Sequence, residues 1–381
     1  MKIAIVGAGL MGRLLALSLI RDKQHSVCLF DQDNKDAHQS AAYAAAGLLT
    51  PLGESLHCEA NIVAMGFKSL AMWPKLLDSL DEYTIFQQTG AIMVSHEQDK
   101  GDYQRFVRHL QMNYPQQPSH QLNRSQLLEL EPELGRSFNQ GLYLPQEGQL
   151  GNRRLLVALA KQLMQEGQNA DFDWLTESKV VGIHADGCGQ VVSYQQRGVA
   201  KSQPFDLVID CRGTGASNKH ANADAAPLPD LRAVRGELFQ LFAPDVHLTR
   251  PIRLMHPRYQ LYIAPKGKGF YVVGATEIES DDDSPMTVRS AMELLSAAYS
   301  VHPGFAEANI RQHVSQCRPA FSDNQPKIIQ QSGLVQVNGL FRHGFLIAPV
   351  VLAQVLAVID NISNNNEVEL PYSDLMPVTV K

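Results

Sequence analysis

The sequence predicts an α/β protein, α+β overall, made of two intertwined units, and three observations carry that prediction. A β-favouring run, Lys2 to Val6, ends in glycines and passes straight into a helix-length segment. Strands and helices recur at both ends of the chain, and the middle, Ala233 to Gly274, is strand-rich with Pro and Gly punctuation. A chain of 381 residues has room for about two domains of roughly 150 residues.

In chain order, Lys2 to Val6 reads as a strand, Leu10 to Arg21 as a helix and Ser26 to Phe30 as a second strand closed by Asp31. Glu59 to Leu80 has helical length, Thr89 to Ser95 reads as a strand, and Ser125 to Leu130 as a short helix stopped at Glu131-Pro132. Gly141 to Pro145 is a strand before the strongly periodic helix Arg153 to Gln165. Val180 to His184, Gln190 to Tyr194 and Phe205 to Asp210 follow as strands, and residues 216 to 230 make a polar connection. Glu237 to Phe242, Gln260 to Ala264 and Phe270 to Val273 form the strand-rich middle. Thr287 to Val301 is then a helix, Leu334 to Asn338 a strand and Phe345 to Ile362 an apolar helix.

Composition excludes several classes. With 44% hydrophobic and 19% charged residues the chain is not disordered. A net charge of -6 without a basic run argues against nucleic acid and anionic membranes as partners. The cysteines Cys28, Cys58, Cys188, Cys211 and Cys317 are odd in number and include no C-x-x-C, so neither a disulfide framework nor a metal site is expected. The apolar N-terminus is interrupted by Gly7, Gly9, Gly12 and Arg13, unlike a signal peptide. Ile347 to Ile359 contains Pro349 and Gln354 and falls short of the roughly 18 residues of a membrane span. A cytoplasmic protein is expected.

Gly7-Ala8-Gly9-Leu10-Met11-Gly12 is G-x-G-x-x-G, placed after a strand and at a helix start. The first glycine permits a tight turn, the second close approach of a pyrophosphate, and the third packing of helix on strand. The helix N-terminus then offers amides and partial positive charge to phosphate. Asp31, 19 residues past Gly12, is placed to accept from a ribose hydroxyl. These features predict dinucleotide binding without separating NAD from FAD. Gln39 to Pro51 is rich in Ala and Gly, which suits either close packing against a flat ring or a tightly packed Ala-rich helix.

Together with Asp206-Leu-Val-Ile-Asp-Cys-Arg-Gly-Thr-Gly-Ala216, that segment resembles the D-amino-acid oxidase and glycine oxidase family of FAD enzymes. Val234-Arg-Gly-Glu, Pro257-Arg-Tyr-Gln-Leu-Tyr-Ile-Ala-Pro265, Gly274-Ala-Thr-Glu277, Cys317-Arg-Pro319 and Asn338-Gly-Leu-Phe-Arg-His-Gly-Phe-Leu-Ile-Ala-Pro349 come in the order seen in glycine oxidases of thiamine biosynthesis. The resemblance covers nearly the whole chain. It implies a Rossmann-like FAD-binding domain of the D-amino-acid oxidase type, in residues 1–80, 140–220 and 315–381. An interleaved antiparallel-sheet substrate domain, residues 81–139 and 221–314, would roof the flavin. The implied reaction oxidises glycine, and by extension sarcosine or small D-amino acids, to the imine, with O2 reduced to hydrogen peroxide. A functional link to thiazole synthase and a homo-oligomeric state are implied as well.

The same resemblance assigns roles. Arg318 matches the arginine that holds the substrate carboxylate, a task to which a planar guanidinium fork is suited. Tyr262 matches a hydroxyl helping to hold that carboxylate, and Arg342 a second pocket arginine. Leu49, Glu277 and His343 fall in the substrate pocket. Around the FAD fall Gly7 to Gly12, Asp31, Ala46, Gly47, Leu48, Val180, Cys211, Arg212, Gly213 and the run Arg342, His343, Gly344, Phe345 and Leu346. The last helix start would favour the negative charge of the reduced ring.

His343 is rejected as general base, because hydride transfer from a neutral amine needs no strong base and the resemblance implies no obligate catalytic histidine there. Related sarcosine oxidases attach flavin to a cysteine near this Arg-Pro motif, but Cys317 is one residue off, so non-covalent FAD is expected. Glu277 stands where a well-studied branch has an apolar residue, which bears on substrate range. Two rivals stay open: a dehydrogenase of the same fold with another electron acceptor, and a non-catalytic dinucleotide-binding redox sensor.

Overall fold

The structure, a computed structural model, describes residues 1–187, 189–220, 223–256, 260–365 and 368–381. Cys188, part of the 216 to 230 connection, and the Pro257-Arg258-Tyr259 start of one motif lie outside the described residues.

Alternation of apolar residues on the first strand explains the first unit. Ile3 and Ile5 face one core cluster while Ala4 and Val6 face another, so this strand is buried on both sides, as parallel strands usually are. It sits inside a seven-stranded sheet ordered Val378–Val380, Lys327–Gln331, Leu334–Asn338, Leu207–Asp210, Lys2–Val6, Ser26–Phe30 and Phe172–Leu175. Pairing is parallel except between Lys327–Gln331 and Leu334–Asn338. The helices Leu10–Asp22, Ala60–Asp78, Asn152–Glu166 and Gly344–Asn364 cover one face. A meander, Ser178–Asp186, Gly189–Gln196 and Val199–Phe205, covers the other through Val180, Ile183, Val192 and Tyr194.

The second unit is a nine-stranded sheet. Leu231–Phe242 is its spine, pairing along its full length with Asn309–Phe321 and on its other edge with Phe270–Gly274. Gln260–Pro265, Ile252–Met255, Ala91–Ser95, Gln140–Leu144 and His120–Asn123 continue the order. The helix Val288–Val301 packs on it through Leu294, Ala297, Ala298 and Val301. Two expected boundaries shift: Gln140–Leu144, placed with the first unit, is a strand of this sheet, and position 315 falls inside the strand Asn309–Phe321, which belongs to it throughout.

Several elements depart from the sequence reading. Lys100–Asn113 is a helix, burying Tyr103, Phe106, Val107 and Leu110. Phe205 to Asp210 is two strands, Val199–Phe205 and Leu207–Asp210. The 38 to 46 segment is a series of turns and not an Ala-rich helix. The final helix, Gly344–Asn364, is longer than the apolar run suggests, and with the preceding turn it has the length and composition of a membrane span. Most of it is buried against Leu10–Asp22 and Ala60–Asp78, the environment of a core helix.

Candidate active site

Parallel register brings three chain ends together. Val6 pairs with both Phe30 and Asp210, so Gly7, Asp31 and Cys211 leave the sheet at one edge, the switch point where α/β sheets bind ligands. A cavity of about 1010 Å³ opens there and runs to the nine-stranded sheet.

At this edge each glycine has its own reason. Gly7 has φ +99°, and a Cβ on it would lie 2.7 Å from the Cys211 carbonyl oxygen. A Cβ on Gly12 would lie 1.8 Å from the Gly7 carbonyl oxygen, so only glycine lets the helix rest on the turn. Gly9 differs: its Cβ would meet only Ser40, at 3.9 Å, and would stand in the cavity itself. Gly9 caps the Leu10–Asp22 helix without a side-chain partner, so first-turn amides are left for a ligand, with Leu10 and Met11 on the cavity wall.

Asp31 also lines the cavity. Its carboxylate accepts from the amides of Ala8 and Asp33, the latter at 2.7 Å, while burial pushes its pKa up. Ala8 and Gly12 stand behind the wall, shaping the turn without lining it. Arg13, absent from the sequence reading as a site residue, is fully buried and donates to the carbonyls of Ala8, Leu156 and Lys35 at 2.6–2.8 Å.

The small residues Ala41 to Leu48 form the middle wall. Gly47 has φ +68°, and a Cβ there would strike the Leu150 carbonyl. Lys266 clamps this segment to the second unit: its Nζ donates to Ala46 O at 2.6 Å, Leu150 O at 3.0 Å and Gln149 Oε1 at 2.9 Å. Burial pushes that ammonium down to about 7. Leu49 does not line the cavity as expected. Successive strand residues face opposite sides, so Leu48 meets the cavity while Leu49 is fully buried in the core. Val180, Cys211, Arg212 and Gly213 complete the end of the cavity at the glycine turn, with Arg212 held to Asp210 at 2.8 Å.

The far end collects residues distant in sequence. Arg318, Tyr262, Arg342, His343 and Glu277 line the same cavity, with Gly344 to Leu346 at the start of the last helix. Two glycines make room: a Cβ at Gly236 would lie 2.2 Å from an Arg318 Nη, and one at Gly274 would lie 2.7 Å from the Tyr262 hydroxyl. Arg318 donates to Thr276 O at 3.1 Å and has no carboxylate within ion-pair distance among the described residues. Burial pulls its pKa down. Thr276 is tied in turn to Glu237, which the buried Arg235 grips at 2.6 Å.

Arg342 pairs with Glu54 at 2.9 Å and Glu277 at 2.8 Å, and Glu54 also pairs with Arg253. His343 is 2% exposed; burial and the neighbouring Arg342, Arg253 and Arg318 lower its pKa well below that of a free imidazole. Cys317 is buried with its Sγ 3.6 Å from Ser280 O, and burial raises its pKa away from a thiolate. Glu54, Arg253 and Thr276 were missed by sequence reasoning. No motif or spacing connects residues that meet across 199 positions.

Glu147 lies beneath this network, 1% exposed, accepting from Gly53 N at 2.7 Å while Oε2 has no partner among the described residues. Burial pushes its carboxyl up to about 8. A folded-state pKa above the unfolded value of about 4.3 means that this group's contribution to stability falls as pH rises between them. Glu147→Gln is therefore expected to stabilise the protein by about 1–3 kcal/mol at pH 8 and by little at pH 4. Denaturant unfolding at the two pH values checks this; equal effects at both would contradict it.

The family model described as FAD dependent oxidoreductase matches residues 2–358. A Rhizobium etli protein named as a thiamine biosynthesis oxidoreductase, ThiO, is 33% identical over 355 residues, which cover 93% of this chain and 95% of that one. A bifunctional protein ThiO/ThiG of Trichormus variabilis is 25% identical over 361 residues, and the chain spans about half its length, 52%. In fold, a glycine oxidase structure from Geobacillus kaustophilus superposes with a TM-score of 0.81 at 22% identity, covering 98% of each chain.

Proposed function

The chain belongs to the FAD dependent oxidoreductase family, and from that premise we propose that it oxidises glycine, and secondarily sarcosine or small D-amino acids, to the imine at the expense of O2. The observation that carries this is Arg318: a half-buried guanidinium beside the Tyr262 hydroxyl, in the cavity that begins at the glycine turn, with no carboxylate within ion-pair distance among the described residues.

FAD is the cofactor, and the cavity fits it on two observations: the open space a Cβ of Gly9 would fill, and the uncapped helix start beside it. Gly7, Gly9, Leu10, Met11 and Asp31 would hold its nucleotide half, Ala46, Gly47 and Leu48 its ring, with Val180, Cys211, Arg212 and Gly213 alongside. When bound it accepts a hydride from the amine carbon and is reoxidised by O2 to give hydrogen peroxide. The attachment is non-covalent in this reading, with Cys317 held as a buried thiol.

This chain's residues do the rest. Arg318 binds the carboxylate bidentately and Tyr262 donates to it, which fixes the face the amine carbon presents. Glu54 and Glu277 pair with Arg253 and Arg342, so the charge left for the substrate carboxylate is that of Arg318. The amine reacts in its neutral form, its proton having gone to solvent before binding, so no residue of the cavity is assigned as base. Amides of Gly344 to Leu346 place the positive end of the last helix against the cavity, where negative charge would develop.

The two-unit division forms part of this reading, the seven-stranded unit holding the cofactor and the nine-stranded unit the substrate. So do a cytoplasmic homo-oligomer and delivery of the imine to a thiazole synthase, which the paired naming of the ThiO/ThiG relative supports. The test is aerobic turnover: glycine should give hydrogen peroxide and glyoxylate in equal amounts. Glyoxylate formed only with an added quinone acceptor would replace the oxidase by a dehydrogenase.

A further inference from the structure

The reaction needs one carboxylate bound, yet three guanidinium groups line the cavity: Arg318, Arg342 and Arg253. Their partners are unequal. Arg253 is taken up by Glu54 and by the Gly53 carbonyl at 2.6 Å. Arg342 has a carboxylate on each side, its Nε within ion-pair distance of Glu54 at 2.9 Å and an Nη donating to Glu277 at 2.8 Å. Glu54 is already shared with Arg253, so Glu277 is the carboxylate that completes the neutralisation of Arg342. Among these groups, three positive charges meet two negative ones, and the unmatched charge resides on Arg318.

We propose that Glu277, by holding Arg342, limits the pocket to ligands with one carboxylate, and that it is a specificity-determining residue of the oxidation proposed above, on which this inference rests. A ligand with a second carboxylate would meet a guanidinium already paired and a carboxylate that repels it. Discrimination of this kind arises from the repulsive element as much as from the attractive one. Glu277 is the replaceable member of the network. It is half exposed at the mouth, whereas Glu54 and Arg253 are buried and truncating either would strand a buried charge.

The experiment reads binding without turnover. FAD-loaded wild type, Glu277→Gln and Glu277→Asp are titrated with acetate, malonate and succinate, and perturbation of the flavin absorption gives the Kd of each. In wild type, acetate should bind tighter than either dicarboxylate. In Glu277→Gln the better of malonate and succinate should gain tenfold or more relative to acetate, and Glu277→Asp should restore the wild-type order. An unchanged ratio in Glu277→Gln, or wild type already preferring a dicarboxylate, overturns the proposal, as does absence of any response to acetate. Because no oxidation is measured, a protein that shows the expected ratios but does not oxidise glycine would sink the glycine reading and leave the pairing argument standing.

Discussion

Replacing Gly12 by alanine is expected to give a protein without bound FAD, its flavin-to-protein absorbance ratio reduced tenfold or more. The added Cβ would sit 1.8 Å from the Gly7 carbonyl oxygen, a contact no side chain can relieve because both partners are backbone. The helix must move off the turn, carrying its first-turn amides away from the phosphate site, and the overpacking itself costs about 1–3 kcal/mol. Gly9→Ala separates steric collapse from cofactor exclusion. Its φ of -72° suits alanine and its Cβ meets only the cavity, so that apoprotein should unfold at the wild-type denaturant concentration and still fail to take up FAD. Wild-type flavin content in Gly12→Ala would show that this turn does not hold the cofactor.

Arg318→Ala is the second large effect expected, a fall of about 10²–10³-fold in kcat/KM for glycine with FAD still bound. Removing one partner of a desolvated, hydrogen-bonded charge pair costs about 2–5 kcal/mol, and the middle of that span corresponds to this fall. Two further consequences follow from the pairing pattern. Arg342 cannot take over, since Glu54 and Glu277 hold it, and the variant should lose kcat as well as raise KM because the amine carbon is no longer oriented. Anaerobic stopped-flow reduction of the flavin checks this. Reduction within threefold of wild type would remove Arg318 from the substrate site.

The parts of the molecule that were legible in the sequence are those coded locally. Lys2–Val6, Ser26–Phe30 and Leu334–Asn338 are buried strands whose apolar runs are bounded by turn residues, and they form where expected. The glycine turn was legible because its three glycines lie within six residues and Gly12 is pressed by Gly7 itself, although the contact that constrains Gly7 comes from Cys211, far along the chain. Arg318, Tyr262 and Arg342 came from motif order, and the fold brings them to one cavity.

What escaped is coded at a distance or against type. Asn309–Phe321, the strand that carries Arg318, is polar and exposed over its first half, so its extended form comes from pairing with Leu231–Phe242 and not from its own pattern. Lys100–Asn113 did carry a helical signal, apolar residues at 103, 106, 107 and 110, in an otherwise polar segment. Leu49 shows the cost of a one-residue step in a strand: the segment was placed at the cavity correctly, but the side chain turns to the core. Glu54 and Arg253 could be joined only by the fold.

One measurement tests the whole reading most directly: the visible spectrum of the purified, FAD-loaded protein mixed anaerobically with glycine, sarcosine and D-alanine in turn. The structure and its chemistry predict that the flavin band bleaches, fastest with glycine, and returns when O2 is admitted. A yellow protein that none of the three bleaches would contradict the proposed chemistry while leaving the fold and its cofactor in place.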